Sequence, residues 1–170
     1  MFLPMQVTGE LLRGRLEGRR KRFFLDLELA DGQRVTVHCA NTGTMEGCLA
    51  PGAVVVASRA ANPARLLSHT AEWIELSTGW VGINTHRTNA VVGEALRGGA
   101  VAELVAYADV RAEVPVGRAS RVDFLLQGPA LPDCLVEVKN ATWPTPDGGV
   151  GFPDTVTARG LKHVRLLRRQ

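Results

Sequence analysis

The sequence predicts an α+β chain in two parts: a small closed β-barrel of five strands, then a mixed helix-and-strand domain from near Gly79. Two observations carry this. Before Gly79 the chain holds five short β-branched or alternating runs, separated by turn residues and without a convincing helix. After it, helix-capping residues and helical apolar spacing alternate with further strand-like runs. At 170 residues the chain suits one ordinary domain or two small ones, and the change near Gly79 divides it into 1–78 and 79–170.

The strand runs of the first part are 6–13, 22–29, 34–39, 53–57 and 71–76. Ala30-Asp31-Gly32 closes a hairpin between the second and third, and Pro51-Gly52 bends the chain before the fourth. Five such strands fit an OB-type barrel, and a five-stranded SH3-like barrel would read almost the same way. In the second part Asn89 is placed to cap a helix over 90–97 that Gly98-Gly99 stops, and a second short helix fits 101–107. Strands follow over 112–116, 121–126 and 134–139. A Pro- and Gly-rich loop spans 143–153, and Asp154 is a good cap for a last helix. That helix sets Val156, Gly160, Val164 and Leu167 on one face and Lys162, Arg165 and Arg169 on another.

Composition excludes several classes. With 45% hydrophobic and 22% charged residues the chain is neither a disordered tail, a collagen-like fibre nor a polytopic membrane protein. No run of about 18 apolar residues could span a bilayer. The first residues form neither a charged leader nor a cleavable signal, so the expected compartment is the cytosol. Three cysteines, an odd number without framework spacing, agree with a reducing compartment.

Net charge is only +3, yet 11 of the 20 basic residues fall in two clusters. One comprises Arg13, Arg15, Arg19, Arg20, Lys21 and Arg22; the other Arg159, Lys162, Arg165, Arg168 and Arg169. Clusters of this kind suit a partner rich in phosphates, and equally describe two solvated faces.

The residues that suggest chemistry lie in the second part. If strands 121–126 and 134–139 pair symmetrically about Ala130, Asp123 faces Glu137, and Lys139 shares a face with Glu137. Two acids and a lysine would converge among Val122, Phe124, Val136 and Val138. A hard cation such as Mg2+ takes one or two carboxylates together with waters and phosphate oxygens. It polarises a phosphodiester and generates a hydroxide nucleophile, with Lys139 orienting water or neutralising developing charge. An ion pair on an edge strand, worth at most ~1 kcal/mol, accounts for the same three residues.

Several stretches together resemble one family: Lys21-Arg22-Phe23; His38-Cys39-Ala40-Asn41-Thr42-Gly43-Thr44; Arg121-Val122-Asp123-Phe124; Val136-Glu137-Val138-Lys139; and Gly151-Phe152-Pro153-Asp154-Thr155-Val156-Thr157. Their order is similar to that of the sugar fermentation stimulation protein A family of bacteria. The resemblance implies an OB-like domain joined to a PD-(D/E)xK, restriction-endonuclease-like domain, and an association with DNA binding and regulation of maltose and other sugar use. It makes Asp123 the motif's first acid, Glu137 and Lys139 its Glu-x-Lys, and Glu94 a further acid on the preceding helix. Asp123 and Glu137 would be the ligands of Mg2+ or Mn2+. Family members continue well past the last helix, so the nuclease-like domain is expected to be shortened at its C-terminus. Asn140-Ala141 also replaces the Ser-Val pair usual after Glu-x-Lys.

Two functions follow: a metal-dependent nuclease on DNA or RNA, and a DNA-binding regulator whose nuclease-like domain is silent. The expected partner is nucleic acid, DNA first, with no membrane and with a homodimer left open. Its contacts are assigned to Arg19, Arg20, Lys21, Arg22, Arg159, Lys162 and Arg165. A sugar-modifying enzyme finds no paired catalytic carboxylates at a recognisable sugar site.

Other residues read both ways. His38, Cys39 and Cys48 lack zinc-ribbon spacing, and the thiols, like Cys134, fit a core better. His163 fits a phosphate contact or a solvated face, and Asn41-Thr42-Gly43-Thr44 a phosphate cradle or a turn. Trp73, Trp80 and Trp143 fit base stacking or partial burial.

Overall fold

The computed structural model describes residues 6–7, 9–116, 120–145 and 147–152. The last helix expected from the sequence, with Asp154, Arg159, Lys162, His163, Arg165, Arg168 and Arg169, lies outside the described residues. The described chain forms two compact units, one built from Gln6–His86 with 140–152, the other from Arg87–Lys139.

Five strands close the barrel of the first unit: β1 (Leu11–Arg20), β2 (Phe24–Glu28), β3 (Arg34–His38), β4 (Val54–Arg59) and β5 (His69–Leu76). β1, β2 and β3 form an antiparallel meander, β4 lies on the other edge of β1, and β5 pairs with β4. A parallel contact of His38 with Thr70 joins β3 to β5 and closes the ring. The resulting cyclic order, 1-2-3-5-4, is that of an OB barrel and decides against the SH3-like alternative. Leu16, Leu25, Leu27, Val37, Val55, Ala57, Ala71 and Ile74 fill it, with Cys39, Met45 and Cys48 from the loop after β3.

The first strand is displaced from its expected position, 6–13, to Leu11–Arg20. Leu12, Gly14 and Leu16 face inward while Arg13, Arg15 and Glu17 face out, and past a bulge Gly18 lies opposite the outward Asp26. A glycine at one inward position and the bulge together break the apolar alternation that would mark the strand. At Gly14 the glycine is required by space, since a Cβ there would lie 3.0 Å from Leu27 Cβ and 3.1 Å from the Glu28 carbonyl. A short strand, β6 (Gly79–Gly82), pairs antiparallel with β5, so the sheet of this unit runs four residues beyond the expected break.

The second unit sets one helix, α1 (Thr88–Arg97), with a three-stranded antiparallel sheet of β7 (Asp109–Val116), β8 (Ser120–Gln127) and β9 (Cys134–Val136). Leu96, Phe124 and Leu126 form its core with Val92, Val110, Val136 and Val138 around them. Gly98 and Gly99 end α1 as expected, but Asn89 does not cap it. The helix begins two residues earlier than expected, at Thr88, without a side-chain cap, and the Asn89 amide is engaged elsewhere. The second helix expected over 101–107 is a single 3-10 turn at Ala102–Leu104. β9 stops at Val136, so Glu137 and Lys139 follow the strand instead of lying within it.

Beyond Lys139 the chain belongs again to the barrel unit. A small hairpin of β10 (Trp143–Pro144) and β11 (Val150–Gly151) forms there, and the Cys48 thiol donates to the Thr142 carbonyl at 2.6 Å. Among the described residues no helix is long and apolar enough to cross a membrane.

Candidate functional site

Where the β8–β9 ladder ends, a side chain takes over. The last pairs, Leu126 with Cys134 through Phe124 with Val136, follow the register counted about Ala130. One rung further that register sets Asp123 against Glu137. The Asp123 Oδ2 accepts the Val138 N–H at 2.6 Å, and its Oδ1 accepts the Asn89 amide at 2.8 Å. Both carboxylate oxygens are therefore oriented, one by the strand's continuation and one by the first turn of α1. The Lys139 ammonium lies 2.5 Å from Glu137 Oε1, with Glu137 mostly covered and the lysine half exposed.

A further acid was not anticipated from the sequence. The β7–β8 pairs Ala112–Phe124 and Val114–Val122 leave Glu113 on the Asp123 rung, where it leaves the ladder at φ +53°. Asn89 Nδ2 lies 3.4 Å from Glu113 Oε1, so one amide reaches both acids. Counting back across the β7–β8 hairpin would have found Glu113. A left-handed φ at a glutamate has no sequence signature. Glu94, on α1, has its Oε1 buried and without a hydrogen-bond partner among the described residues. Among those residues no three histidine, cysteine or acidic side chains are placed to hold one metal ion together.

The first basic cluster separates into engaged and open residues. Arg19 is engaged throughout. Its Nε and Nη2 donate to the Arg22 carbonyl, Nη1 to those of Gly43 and Thr44, and Nη2 also to that of Asn41, at 2.6–3.1 Å. It ties the β1–β2 turn to the loop after β3 and has no donor left for a phosphate. Arg20 forms a two-pronged pair with Asp26, at 2.5 and 2.8 Å. That guanidinium holds the Asp26 carboxyl down at about 2, aided by the Thr36 hydroxyl and opposed by partial burial. Arg13 pairs with Glu75 and lies 5.6 Å from the Trp80 ring centre, while Arg15 donates to the Gly52 carbonyl. Lys21 and Arg22 remain. They form the tip of the β1–β2 turn at φ +49° and +64°, exposed and without an ion pair among the described residues, beside the half-exposed Phe23.

Cys39 and Cys48 are fully buried, and burial pushes both thiols up, as befits core residues. Cys134 borders the second core. The Asn41 side chain accepts the Gly43 N–H at 2.9 Å, a local turn that occupies the oxygen of the suspected cradle. Trp73 is partly buried, whereas Trp80 and Trp143 are 48% and 39% exposed and keep a face for contacts.

Comparison with known proteins divides the chain at nearly the same point, near residue 86, but counts 140–152 with the second part. Residues 18–83 match the model of the SfsA N-terminal OB domain, and 86–170 that of the sugar fermentation stimulation protein RE domain. A sugar fermentation stimulation protein homolog of Maricaulis maris is 46% identical over 166 residues, covering 98% of this chain and 71% of the relative. One of Methylobacterium nodulans is 51% identical over 167 residues, covering 96% and 70%. A solved structure of Pyrococcus furiosus SfsA in complex with Ca2+ superimposes with a TM-score of 0.77 at 19% identity, covering 98% of this chain and 70% of that one. With both parts of the chain matched in order and nearly half the residues shared with these relatives, the chain belongs to the sugar fermentation stimulation protein (SfsA) family.

Proposed function

We propose that this SfsA-family chain binds nucleic acid through its OB barrel and hydrolyses phosphodiester bonds with a divalent cation held by Asp123 and Glu137. The observation that carries this reading is the fixed Asp123 carboxylate, oriented by Asn89 and the Val138 N–H on the rung of Glu137. A carboxylate held from two sides before any ligand arrives is preorganised for a cation. The donor chemistry fits a hard ion: Asp123, Glu137, Glu113 and Glu94 offer oxygen only, and the buried Glu94 Oε1 lacks a partner among the described residues. The Ca2+ of the Pyrococcus furiosus structure belongs to the same class of ion and supports Mg2+ or Mn2+ here.

Asp123 and Glu137 would hold the cation, which when bound polarises a phosphodiester and acidifies a water. Asn89 keeps Asp123 in place, and Lys139 brings a positive charge beside Glu137 for the developing phosphorane. On the barrel, Lys21 and Arg22 supply open charges and Phe23 a ring for stacking, while Arg20 and Arg34, each paired with an acid, line a groove on the outer face of β1 to β3, where OB barrels bind oligonucleotides. Arg159, Lys162 and Arg165 extend this assignment beyond the described residues. The free thiols suit a cytoplasmic setting.

One observation favours a second reading, a nucleic-acid-binding regulator with a silent site. Asp123 already has both oxygens engaged, Glu137 is paired with Lys139, and no three ligating groups are gathered among the described residues. Labelled single- and double-stranded DNA and RNA, incubated with the protein in Mg2+ or Mn2+ against EDTA, separate the two. Cation-dependent cleavage that Asp123→Asn abolishes, with binding retained, supports the nuclease. Binding without cleavage under every condition supports the regulator, and absence of binding overturns both.

A further inference from the structure

A second cluster, confined to the barrel unit, has no part in that reading. His38 ends β3, flanked by Phe24 on β2 and joined to Thr70 at the single β3–β5 pair that closes the ring. The His86 ring is stacked on it, with centres 6.5 Å apart and planes 29° from parallel. Thr85 anchors this arrangement by donating to the Ala40 carbonyl at 3.0 Å, and the Asn84 side chain accepts the His86 N–H at 3.2 Å. Arg65, from the β4–β5 loop, reaches the same place. Its Nη1 lies 3.4 Å from the Thr70 hydroxyl, and it is exposed without an ion pair among the described residues.

Two imidazoles and a guanidinium thus meet, and the guanidinium forms no ion pair among the described residues. The acid on this part of β5, Glu72, is buried, with its oxygens accepting from the Ser58 hydroxyl at 2.5 Å and the Asn84 amide at 2.9 Å. His38 Nδ1 is buried with no hydrogen-bond partner among the described residues, a state that costs free energy unless something fills it. An arginine outside any ion pair among the described residues, beside an imidazole with an unused ring nitrogen, suits an anion with several oxygens.

We propose that His38, His86 and Arg65, with the Thr70 hydroxyl, form a phosphate-binding site at the seam that closes the barrel. Arg65 grips the anion from the loop side, His38 donates from the sheet, and His86 completes the cradle. Burial, with the nearby Arg65 and His86, lowers the His38 pKa below its usual value, so the free protein carries this imidazole neutral near pH 7. An arriving dianion favours the imidazolium. Binding therefore takes up a proton, and affinity rises as pH falls.

The test follows the histidine ring resonances of the full chain by NMR while inorganic phosphate is added. Sulfate serves for the pH series because its charge stays constant between about pH 6 and 7.5. The expected result is saturable shifts of His38 and His86, weakened about tenfold by Arg65→Gln, a change in an exposed loop. Sulfate should bind several-fold more tightly at about pH 6 than at pH 7.5. His86→Gln should also weaken binding. A short unphosphorylated DNA strand distinguishes the sources: displacement of phosphate identifies a backbone phosphate, and no displacement a free phosphate ester. Linear, non-saturating shifts, or equal binding by wild type and Arg65→Gln, overturn the site. Neither result depends on Asp123 or on Lys21 and Arg22, so the nuclease and nucleic-acid readings stand or fall separately.

Discussion

The barrel unit and the Arg87–Lys139 unit satisfy their backbones in opposite ways. In the barrel every one of β1 to β5 has a neighbour on both sides, because the His38–Thr70 contact joins the ends of the sheet. Closure leaves no ladder edge among these strands, so their charged side chains are free to decorate the outside. In the other unit three strands leave two edges, and the short β9 ends where Asp123 begins to do the work of a backbone carbonyl. In this sheet Glu113 and Asp123 meet where regular pairing lapses. The site candidates therefore lie at ladder ends in one unit and on outer faces in the other.

The comparison is broken most severely by removing core volume. Leu25→Ala and Phe124→Ala, at positions 0% and 2% exposed, should each cost about 3–4 kcal/mol. If the units are held by separate cores, hydrogen exchange should rise mainly within Gln6–His86 for the first and within Arg87–Lys139 for the second. Equal loss of protection everywhere would show a single cooperative core instead.

Arg19 comes next. Arg19→Ala strands four carbonyls that it now satisfies and should destabilise the barrel by about 2 kcal/mol, measured by denaturant unfolding. Lys21→Ala with Arg22→Ala should leave stability unchanged. In a nucleic-acid-binding protein the double change should flatten the plot of log affinity against log salt by about 1.8, that is ~0.9 for each charge removed. The reverse pattern would mean that the engaged and open arginines have been exchanged.

The smallest effect is that of the Arg20–Asp26 pair. Its folded-state carboxyl sits at about 2, below the ordinary value of 3.8, so it stabilises the barrel above pH ~4. That contribution should fade as pH falls from ~4 to ~2. Because Arg20 is 59% exposed, solvent screening keeps the contribution small. Asp26→Asn should lose it at neutral pH and remove that portion of the acid sensitivity, read from the pH dependence of the denaturation midpoint.

Much of the barrel could be read from residue patterns, because β2 and β3 alternate and are joined through Asp31-Gly32. β1 escaped because one of its inward residues, Gly14, carries no hydropathy signal and a bulge after Leu16 breaks its alternation. In the second unit the Ala130-centred register was legible, since hairpin pairing follows from counting, whereas the early end of β9 was not. Asn89 resembles a helix cap in sequence. In the structure it lies within α1, and its side-chain N–H donates to the Asp123 carboxylate, a charge-assisted bond, instead of its oxygen accepting a backbone N–H at the helix start.

The sequence by itself determined that a five-stranded barrel comes first and a mixed part follows, together with the family and the identities of Asp123, Glu137 and Lys139, because periodicity, turn chemistry and short motifs are local properties; the strand order that makes the barrel OB-type came from pairing. Only the tertiary structure decided which charges are available. Arg19 and Lys21 look alike in a basic run, yet one is surrounded by carbonyls from a loop more than 20 residues away and the other stands at a turn tip. Glu113, Asn89 and the His38–Arg65–His86 cluster were likewise hidden. Their meaning depends on partners brought near by register and ring closure, which no window of sequence contains.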